Sequence, residues 1–145
     1  MKLISISEHP DAARILYDLL AERPAEAAMS HKAMPTFEQH CAFVANHPYE
    51  AWDFIVVGDD IVGAIYLTPA PRKSIRGNEI GIFIFEAHQG QGYEPGAVRL
   101  LMKRHGSRRY LANISPSNPR SAKMFEAMGF SHCENTFELC TSEDK

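Results

Sequence analysis

The clearest chemical pattern in this sequence lies between residues 79 and 102. A β-rich run, EIGIFIF, leads into a turn that holds Gly90 and Gly92, and a helical pattern follows. A turn of this kind directs backbone N–H groups into one concavity at the positive end of a helix. Glycine allows a ligand to approach the backbone and tolerates left-handed angles. The pattern therefore predicts a phosphate-binding turn, with a tight strand-to-helix connection as the alternative.

Two common nucleotide-binding motifs do not fit this turn. It lacks the Gly-Lys-Ser/Thr sequence that a Walker phosphate loop requires. The spacing of its glycines also departs from the dinucleotide-binding fingerprint, and no parallel strand–helix–strand unit precedes it.

Hydrophobic periodicity predicts the elements that position this turn. Strands are expected over residues 2–7, 52–57, 61–67, 79–85 and 110–114, with a last strand inside residues 130–140 that has Phe137 and Leu139 on one face. Helices are expected after residue 10, over residues 36–46 and on both sides of the strand at 110–114. The order predicts one α/β (α+β) domain over residues 1–145, with helices on the faces of a mixed sheet.

Local signals fix several helix ends. Thr36 and Gln39 form a capping-box pattern, and Asn118 before Pro119 is typical of a helix start. We expect Pro95 to open the helix after the glycine turn. Gly106 and Gly129 are expected just past the ends of the last two helices.

Composition excludes several classes of protein. The chain has 145 residues, 45% of them hydrophobic, and a formal net charge of −3, which disfavours disorder and a nucleic-acid partner. No apolar run is long enough to span a membrane, and the first residues do not resemble a secretion signal. Three widely spaced cysteines do not suggest a disulfide framework or a metal set. We expect a cytoplasmic protein that uses no metal, and the oligomeric state, a homodimer included, stays open.

Two motifs resemble those of a known superfamily. Gln89-Gly-Gln-Gly92-Tyr93 resembles the Gln/Arg-x-x-Gly-x-Gly/Ala signature of the GNAT acetyltransferases, between the strand and helix that this family has there. Downstream, the stretch NPRSAKMFEAMGF, residues 118–130, is similar to the family's second signature. The resemblance covers residues 2–140. It implies a mostly antiparallel central sheet whose central strands splay apart, and an acetyl-CoA-dependent N-acetyltransferase.

The resemblance also assigns residues to the cofactor. It implies that the strand backbone at Ile82 and Ile84 lines the pantetheine arm. The turn would hold the pyrophosphate through backbone N–H groups of Gln89, Gly90, Gln91, Gly92, Tyr93 and Glu94. The second motif would meet the cofactor at Asn113, Asn118 and Ser121, with helix capping an equal reading for Asn118. A basic set, Lys103, Arg104, Arg108 and Arg109, is interpreted either as a site for the 3′-phosphate or as a solvated helix end.

Three residues depart from the family pattern. Glu94 stands where the family has Gly or Ala, and its carboxylate would oppose a pyrophosphate unless it points to solvent. Pro95 removes one N–H donor from the turn. Phe125 stands where many members have a tyrosine that donates a proton to the departing thiolate, and phenylalanine has no proton to donate.

The same resemblance suggests which residues act as acid or base and which contact the acceptor. An alkyl ammonium must lose a proton before its nitrogen attacks a thioester. Glu79 is the predicted base because it begins the central strand, with an exposed strand-end glutamate as an equal reading. His88 is a weaker alternative. The acceptor would contact His31, Tyr49 and Trp52, with ordinary loop and core packing as the alternative for these residues. The predicted acceptor is a small-molecule amine, for instance an amino sugar. A protein N-terminus, and a non-catalytic acyl-CoA-binding module favoured by Glu94, Pro95 and Phe125, are the alternatives.

Overall fold

The computed structural model describes residues 1–22, 34–69, 77–139 and 141. Within these residues, four α-helices and five strands make up the fold. The strands are β1 (Lys2–Ser5), β2 (Ala51–Val57), β3 (Asp60–Leu67), β4 (Asn78–Ile84) and β5 (Tyr110–Leu111). The helices are α1 (Ala12–Ala21), α2 (Phe37–Ala45), α3 (Tyr93–His105) and α4 (Pro119–Ala127).

All five strands form one sheet in the order β1-β2-β3-β4-β5. The first four pair antiparallel, and β4 pairs with β5 in parallel. The mostly antiparallel mixed sheet that the sequence predicted is confirmed. A short hairpin joins β2 to β3, and Gly58 adopts a φ of 62° in its turn.

The sheet has a hydrophobic cluster on each face. One cluster combines α1 residues such as Leu16 and Leu19 with Phe54 of β2 and Ala64 of β3. The other packs α3 and α4 on the sheet through side chains that include Ile55, Ile65, Ile80, Ala97, Val98, Leu101 and Phe125. Because side chains alternate along a strand, the register puts Glu79, Gly81 and Phe83 on the α1 face of β4, and Ile80, Ile82 and Ile84 on the α3 face.

Most predicted helix ends are confirmed. The side chain of Thr36 accepts a hydrogen bond from Gln39, and both halves of the capping box are formed. Asn118 caps α4, with its Oδ1 accepting from the N–H of Ser121 at 3.4 Å. Gly106 and Gly129 follow the ends of α3 and α4 with φ of 79° and 100°, a conformation that glycine adopts without strain.

The prediction that Pro95 opens α3 is wrong by two residues. The helix begins at Tyr93, and Gly92 is its N-cap with a φ of 77°. Pro95 remains within the first turn, where its missing N–H breaks no helical hydrogen bond. The sequence signal therefore located the turn correctly and misjudged which of its residues starts the helix.

Two strand predictions are also corrected. The expected strand at 110–114 ends at Leu111, because the chain leaves β4 there. The expected last strand is absent from residues 130–139, where Phe137 and Leu139 are exposed by 91% and 86%. Alternating apolar residues form a strand only where a neighbouring strand supplies hydrogen-bond partners and an apolar surface. No strand in the described part of the chain pairs with this segment.

Two observations concern membrane-spanning helices and the cysteines, which the sequence analysis considered from composition. No helix among the described residues has the length and apolar character needed to cross a membrane. Cys41 and Cys133 are both free thiols, and Cys140 lies outside the described residues.

Candidate functional site

A cleft opens between β4 and β5, the last two strands of the sheet order, because they pair over only two positions. Asn78 pairs with Tyr110 and Glu79 with Leu111, and the two strands then separate. At the paired end, the N–H of Asn78 donates to the carbonyl of Arg109 at 2.9 Å. Glu79 therefore occupies the last paired position, at the point where the cleft begins. The splayed central strands that the resemblance implied are confirmed.

The cleft holds a cavity of about 360 Å³. Its lining combines β4, the segment after β5, and the first turn of α4. The predicted site residues that line it are Glu79, Ile82, Ile84, Gln89, Glu94, Asn113, Asn118 and Ser121. Residues from sequence positions 79 to 121 thus meet around one cavity.

A smaller cavity of about 190 Å³ lies at the glycine turn. It is lined by Gly90, Gln91, Gly92, Tyr93 and Glu94 together with His88 and Pro95. The two cavities share five lining residues, Ile84, Gln89, Glu94, Arg120 and Ser121. They are adjoining parts of one site that runs from β4 to the start of α3.

The geometry of the turn suits an anion. Gly90 and Gly92 have φ of 78° and 77°, and a Cβ built on either would meet no atom within 4 Å. No side chain caps α3, so the N–H groups of Gly92, Tyr93 and Glu94 keep their donors for a ligand. The space that side chains would occupy is open beside these donors, which fits the close approach of a phosphate.

The backbone of β4 presents further donors to the cleft. Odd-numbered residues bond to β3, as when the N–H of Thr68 donates to the carbonyl of Glu79 at 2.9 Å. The alternation of an antiparallel ladder then turns the backbone groups of Ile82 and Ile84 towards the cleft. The carbonyl of Ile84 accepts from the side-chain amide of Gln89 at 3.1 Å. This bond ties the glycine turn to the end of the strand.

Two opposite charges face the shared part of the site. Glu94 and Arg120 line both cavities. Burial raises the pKa of the Glu94 carboxyl, and the Arg120 guanidinium lowers it by a smaller amount. Glu94 therefore lines the site as a partly buried carboxyl, and its ionised form would oppose a bound anion.

The wall of the cleft on the α1 side carries Glu79, Tyr66 and Phe83. Glu22 joins them from the end of α1, and its Oε1 accepts from the N–H of Glu86 at 2.7 Å. Glu79 thus has aromatic rings and a second carboxylate as neighbours along the same cavity.

Two of the predicted acceptor residues, Tyr49 and Trp52, do not line the cavities directly. Tyr49 and Trp52 lie behind the wall in an aromatic cluster, with ring centroids 4.7 Å apart. Tyr49 stacks on Tyr66, at 4.0 Å between centroids and 7° between planes. Tyr66, which the sequence reasoning missed, is therefore the aromatic side chain that reaches the site. His31 lies outside the described residues.

Phe125 also reaches the larger cavity, although only 5% of it is exposed. Its ring packs edge-on against Phe130 with centroids 5.0 Å apart. The position where many relatives have a tyrosine thus faces the cleft, and the phenylalanine ring supplies no hydroxyl there.

The basic residues at the end of α3 belong elsewhere. Arg104 donates to the carbonyl of Leu3 at 3.0 Å, and Arg108 bonds to Glu50 at 2.6 Å. Neither lines the cavities at the opposite end of the helix. Arg120 lines both, and sequence reasoning missed it although it lies between the two motif residues Asn118 and Ser121.

The comparisons with known proteins agree with this geometry. The model of a family described as an acetyltransferase (GNAT) domain matches residues 2–131. A search of curated protein sequences gave no significant match.

No candidate metal site is found among the described residues. They contain no group of three or more His, Cys, Asp or Glu side chains placed to hold an ion.

Solved structures share the fold at low sequence identity. A spermidine N-acetyltransferase SpeG chimera from Vibrio cholerae and hSSAT is 16% identical, with a TM-score of 0.73 over 92% of this chain and 84% of its own. A domain from Methanocaldococcus jannaschii is 21% identical, with a TM-score of 0.73 over 90% and 88%. The ribosomal-protein-alanine N-acetyltransferase of Brucella melitensis is 14% identical, with a TM-score of 0.66 over 92% and 85%.

Proposed function

The chain belongs to the GNAT family of acetyltransferases, and from that premise we propose that it transfers an acetyl group from acetyl-CoA to a primary amine of a small molecule. The observation that carries this proposal is the continuous site in which Glu79, the splayed edge of β4 and the glycine turn line adjoining cavities. One end of that site has donors for phosphates, and the other has a carboxylate beside exposed strand backbone.

Acetyl-CoA, when bound, supplies an activated thioester, and the residues of this chain would do the rest. The N–H groups of Gly92, Tyr93 and Glu94 suit the pyrophosphate. The N–H groups of Ile82 and Ile84 face the cleft and suit the thioester oxygen, where they would stabilise the negative charge that develops during attack. Asn113, Asn118 and Ser121 would form the opposite wall.

Glu79 would accept the proton that the incoming ammonium must lose. Its position supports this role, because Glu79 is the last residue of β4 that pairs with β5 and it lines the larger cavity next to the backbone that would hold the acetyl group. The thiolate that leaves would take its proton from water, because Phe125 has none to give. A thiolate tolerates this, since its pKa lies near that of an ordinary thiol, about 8.5.

The acceptor is proposed to be a small amine because its wall is a narrow, mostly aromatic surface. Tyr66 and Phe83 line the cavity there, with Tyr49 stacked behind Tyr66 and Trp52 behind Tyr49. Aromatic faces and carboxylates together suit a cationic nitrogen. An amino sugar fits this wall as one member of the class, through its apolar ring face.

Two alternatives remain tied to specific observations. Glu94 inside the anion site and Phe125 in the tyrosine position both favour a module that binds acyl-CoA without turning it over. The likeness to a ribosomal-protein-alanine N-acetyltransferase favours a protein N-terminus as the acceptor.

The test measures thiol release from acetyl-CoA with a panel of polyamines, amino sugars and short peptides with free N-termini. Gly92→Asp should abolish cofactor binding in calorimetry, because it puts a carboxylate among the phosphate donors. Gly92→Asn is the matched control, since asparagine and aspartate tolerate a positive φ about equally and only one is charged.

Each outcome separates the candidates. Thiol release with polyamines or amino sugars supports the proposal, and release with peptides alone would assign the chain to protein N-termini. Cofactor binding without release on any acceptor would favour the non-catalytic module. Equal binding by the Asp and Asn variants would remove the turn from the cofactor site.

A further inference from the structure

Arg120 faces the candidate site, and no described residue forms a hydrogen bond or an ion pair with its guanidinium. It is an exposed residue in the first turn of α4 and lines both cavities. Within the described residues, its guanidinium forms no hydrogen bond and no ion pair within 4.0 Å, and its effect on Glu94 is through space. A guanidinium held at a cavity and left unpaired is available for an anionic ligand.

The start of α4 does not need Arg120 for its own stability. Asn118 caps the helix through the N–H of Ser121, and Pro119 occupies its first position. Helix capping therefore explains Asn118 and leaves the side chain of Arg120 unexplained. Its neighbours across the site are the glycine turn and the first turn of α3.

The other charged side chains that the structure describes around the site are acidic, so Arg120 is the cation that could attract an anion there. Of the described residues that line the two cavities, Arg120 is the only Lys or Arg, while Glu22, Glu79 and Glu94 are acidic. The other titratable groups in the lining are His88, Tyr66 and Tyr93. Backbone N–H groups alone would have to hold a pyrophosphate next to the Glu94 carboxylate, and a carboxylate this close opposes it.

We propose that Arg120 binds a phosphate oxygen of the acetyl-CoA pyrophosphate and thereby offsets Glu94. The inference rests on the proposed function, because it concerns the same ligand. It assigns the phosphate-binding cation to the start of α4 and not to the basic end of α3. Arginine suits the task because its planar fork of N–H donors matches phosphate oxygens.

The experiment compares acetyl-CoA affinity, measured by calorimetry, in wild type, Arg120→Ala, Arg120→Lys and Lys123→Ala. Lys123 is the matched control, since it is an exposed cation on the same helix that lines neither cavity. Arg120→Ala should weaken binding about 10- to 100-fold, the range for one hydrogen bond to a charged group. Arg120→Lys should recover part of the loss, and Lys123→Ala should stay within about 2-fold of wild type, as expected for a screened surface charge.

A phosphate-free donor distinguishes binding from a general effect on the cleft. With S-acetyl-pantetheine in place of acetyl-CoA, kcat/KM should be the same in wild type and Arg120→Ala. An equal loss with both donors would overturn the inference, as would equal losses in Arg120→Ala and Lys123→Ala. Thermal melts of Arg120→Ala and a second variant, Arg120→Gln, show whether the fold is kept. Failure of the wild type to bind acetyl-CoA would instead remove the proposed function.

Discussion

The ring of Tyr66 lies directly over the α-carbon of Gly81, its partner in the β3–β4 register. A Cβ at position 81 would overlap the ring atoms of Tyr66. Tyr49 stacks on Tyr66 at 4.0 Å and reinforces this placement. The absence of a side chain at Gly81 is therefore what lets an aromatic ring lie flat along the cleft, two residues from Glu79.

Gly81→Ala should displace the Tyr66 ring from this wall. The overlap should cost about 1–3 kcal/mol of unfolding free energy, the usual range for overpacking, and should raise KM for the amine more than it lowers kcat. Chemical denaturation and steady-state kinetics measure the two effects. In a Tyr66→Ala background the same substitution should be nearly neutral, because the clashing ring is gone. An equal cost in both backgrounds would mean that strand geometry, not the ring, requires glycine.

Glu79→Gln should lower kcat by about 100-fold or more near neutral pH, a typical contribution for a positioned base. Glutamine keeps the size and hydrogen bonding of the side chain but cannot take a proton. The deficit should shrink as pH rises, because the free amine then reaches the site already deprotonated. Glu22→Gln is the control, since it changes a carboxylate of the same cavity whose bond to the Glu86 N–H an amide oxygen also accepts. A Glu79→Gln enzyme with the wild-type pH–rate profile would move the base elsewhere.

Sequence patterns predicted the parts of this fold that depend on local rules. The capping box at Thr36 and the cap at Asn118 each depend on two residues that are three positions apart in the sequence, and both are formed as predicted. The strand at 79–85 was equally clear, because its isoleucines and phenylalanines, interrupted only by Gly81, have few alternatives to a strand. The glycine turn was also located correctly from its local sequence. The helix after it, however, begins at Tyr93 and not at Pro95.

Long-range relations could not be predicted from one sequence. Nothing at Leu111 marks it as the last residue to pair with β4. The alternation at Phe137 and Leu139 resembled a strand, but no local signal reports whether a partner strand is present. Arg120 faces Glu94 across 26 sequence positions, so only the packing of α4 beside α3 could have brought them to one site.

Glu94→Gln should tighten acetyl-CoA binding by about 1 kcal/mol, the effect of removing a partly screened like-charge contact. The gain should depend on pH. Burial raises the pKa of Glu94 above 4.5 in the free protein, and a bound pyrophosphate would raise this pKa further, so binding takes up a proton. Wild-type affinity should therefore increase as pH falls towards the pKa of Glu94, while the variant lacks this component. Calorimetry at several pH values measures it, and parallel curves for the two proteins would place the carboxylate outside the phosphate site.

Asp53 offers a test of the fold away from the site. This aspartate of β2 is only 3% exposed and lies under the end of α3, with Arg104 Nη1 3.4 Å from its Oδ2. Burial raises its pKa above 3.8, and Arg104 and His105 oppose that shift without cancelling it. Because the folded protein holds this proton more tightly than the unfolded chain, the ionised form destabilises the fold. That destabilisation begins as pH rises through 3.8 and is complete above the pKa of Asp53 in the folded protein.

Asp53→Asn should therefore become more stable relative to wild type as pH rises through this window. The two proteins should melt together below pH 3.8, where both side chains are neutral. At neutral pH the variant should therefore melt at the higher temperature of the two. Asp60→Asn, which changes an exposed carboxylate at the start of β3, should show no such divergence. Thermal melts from pH 3 to pH 8 measure the difference, and a variant that instead loses stability as pH rises would show that the Arg104 ion pair outweighs the burial of the charge.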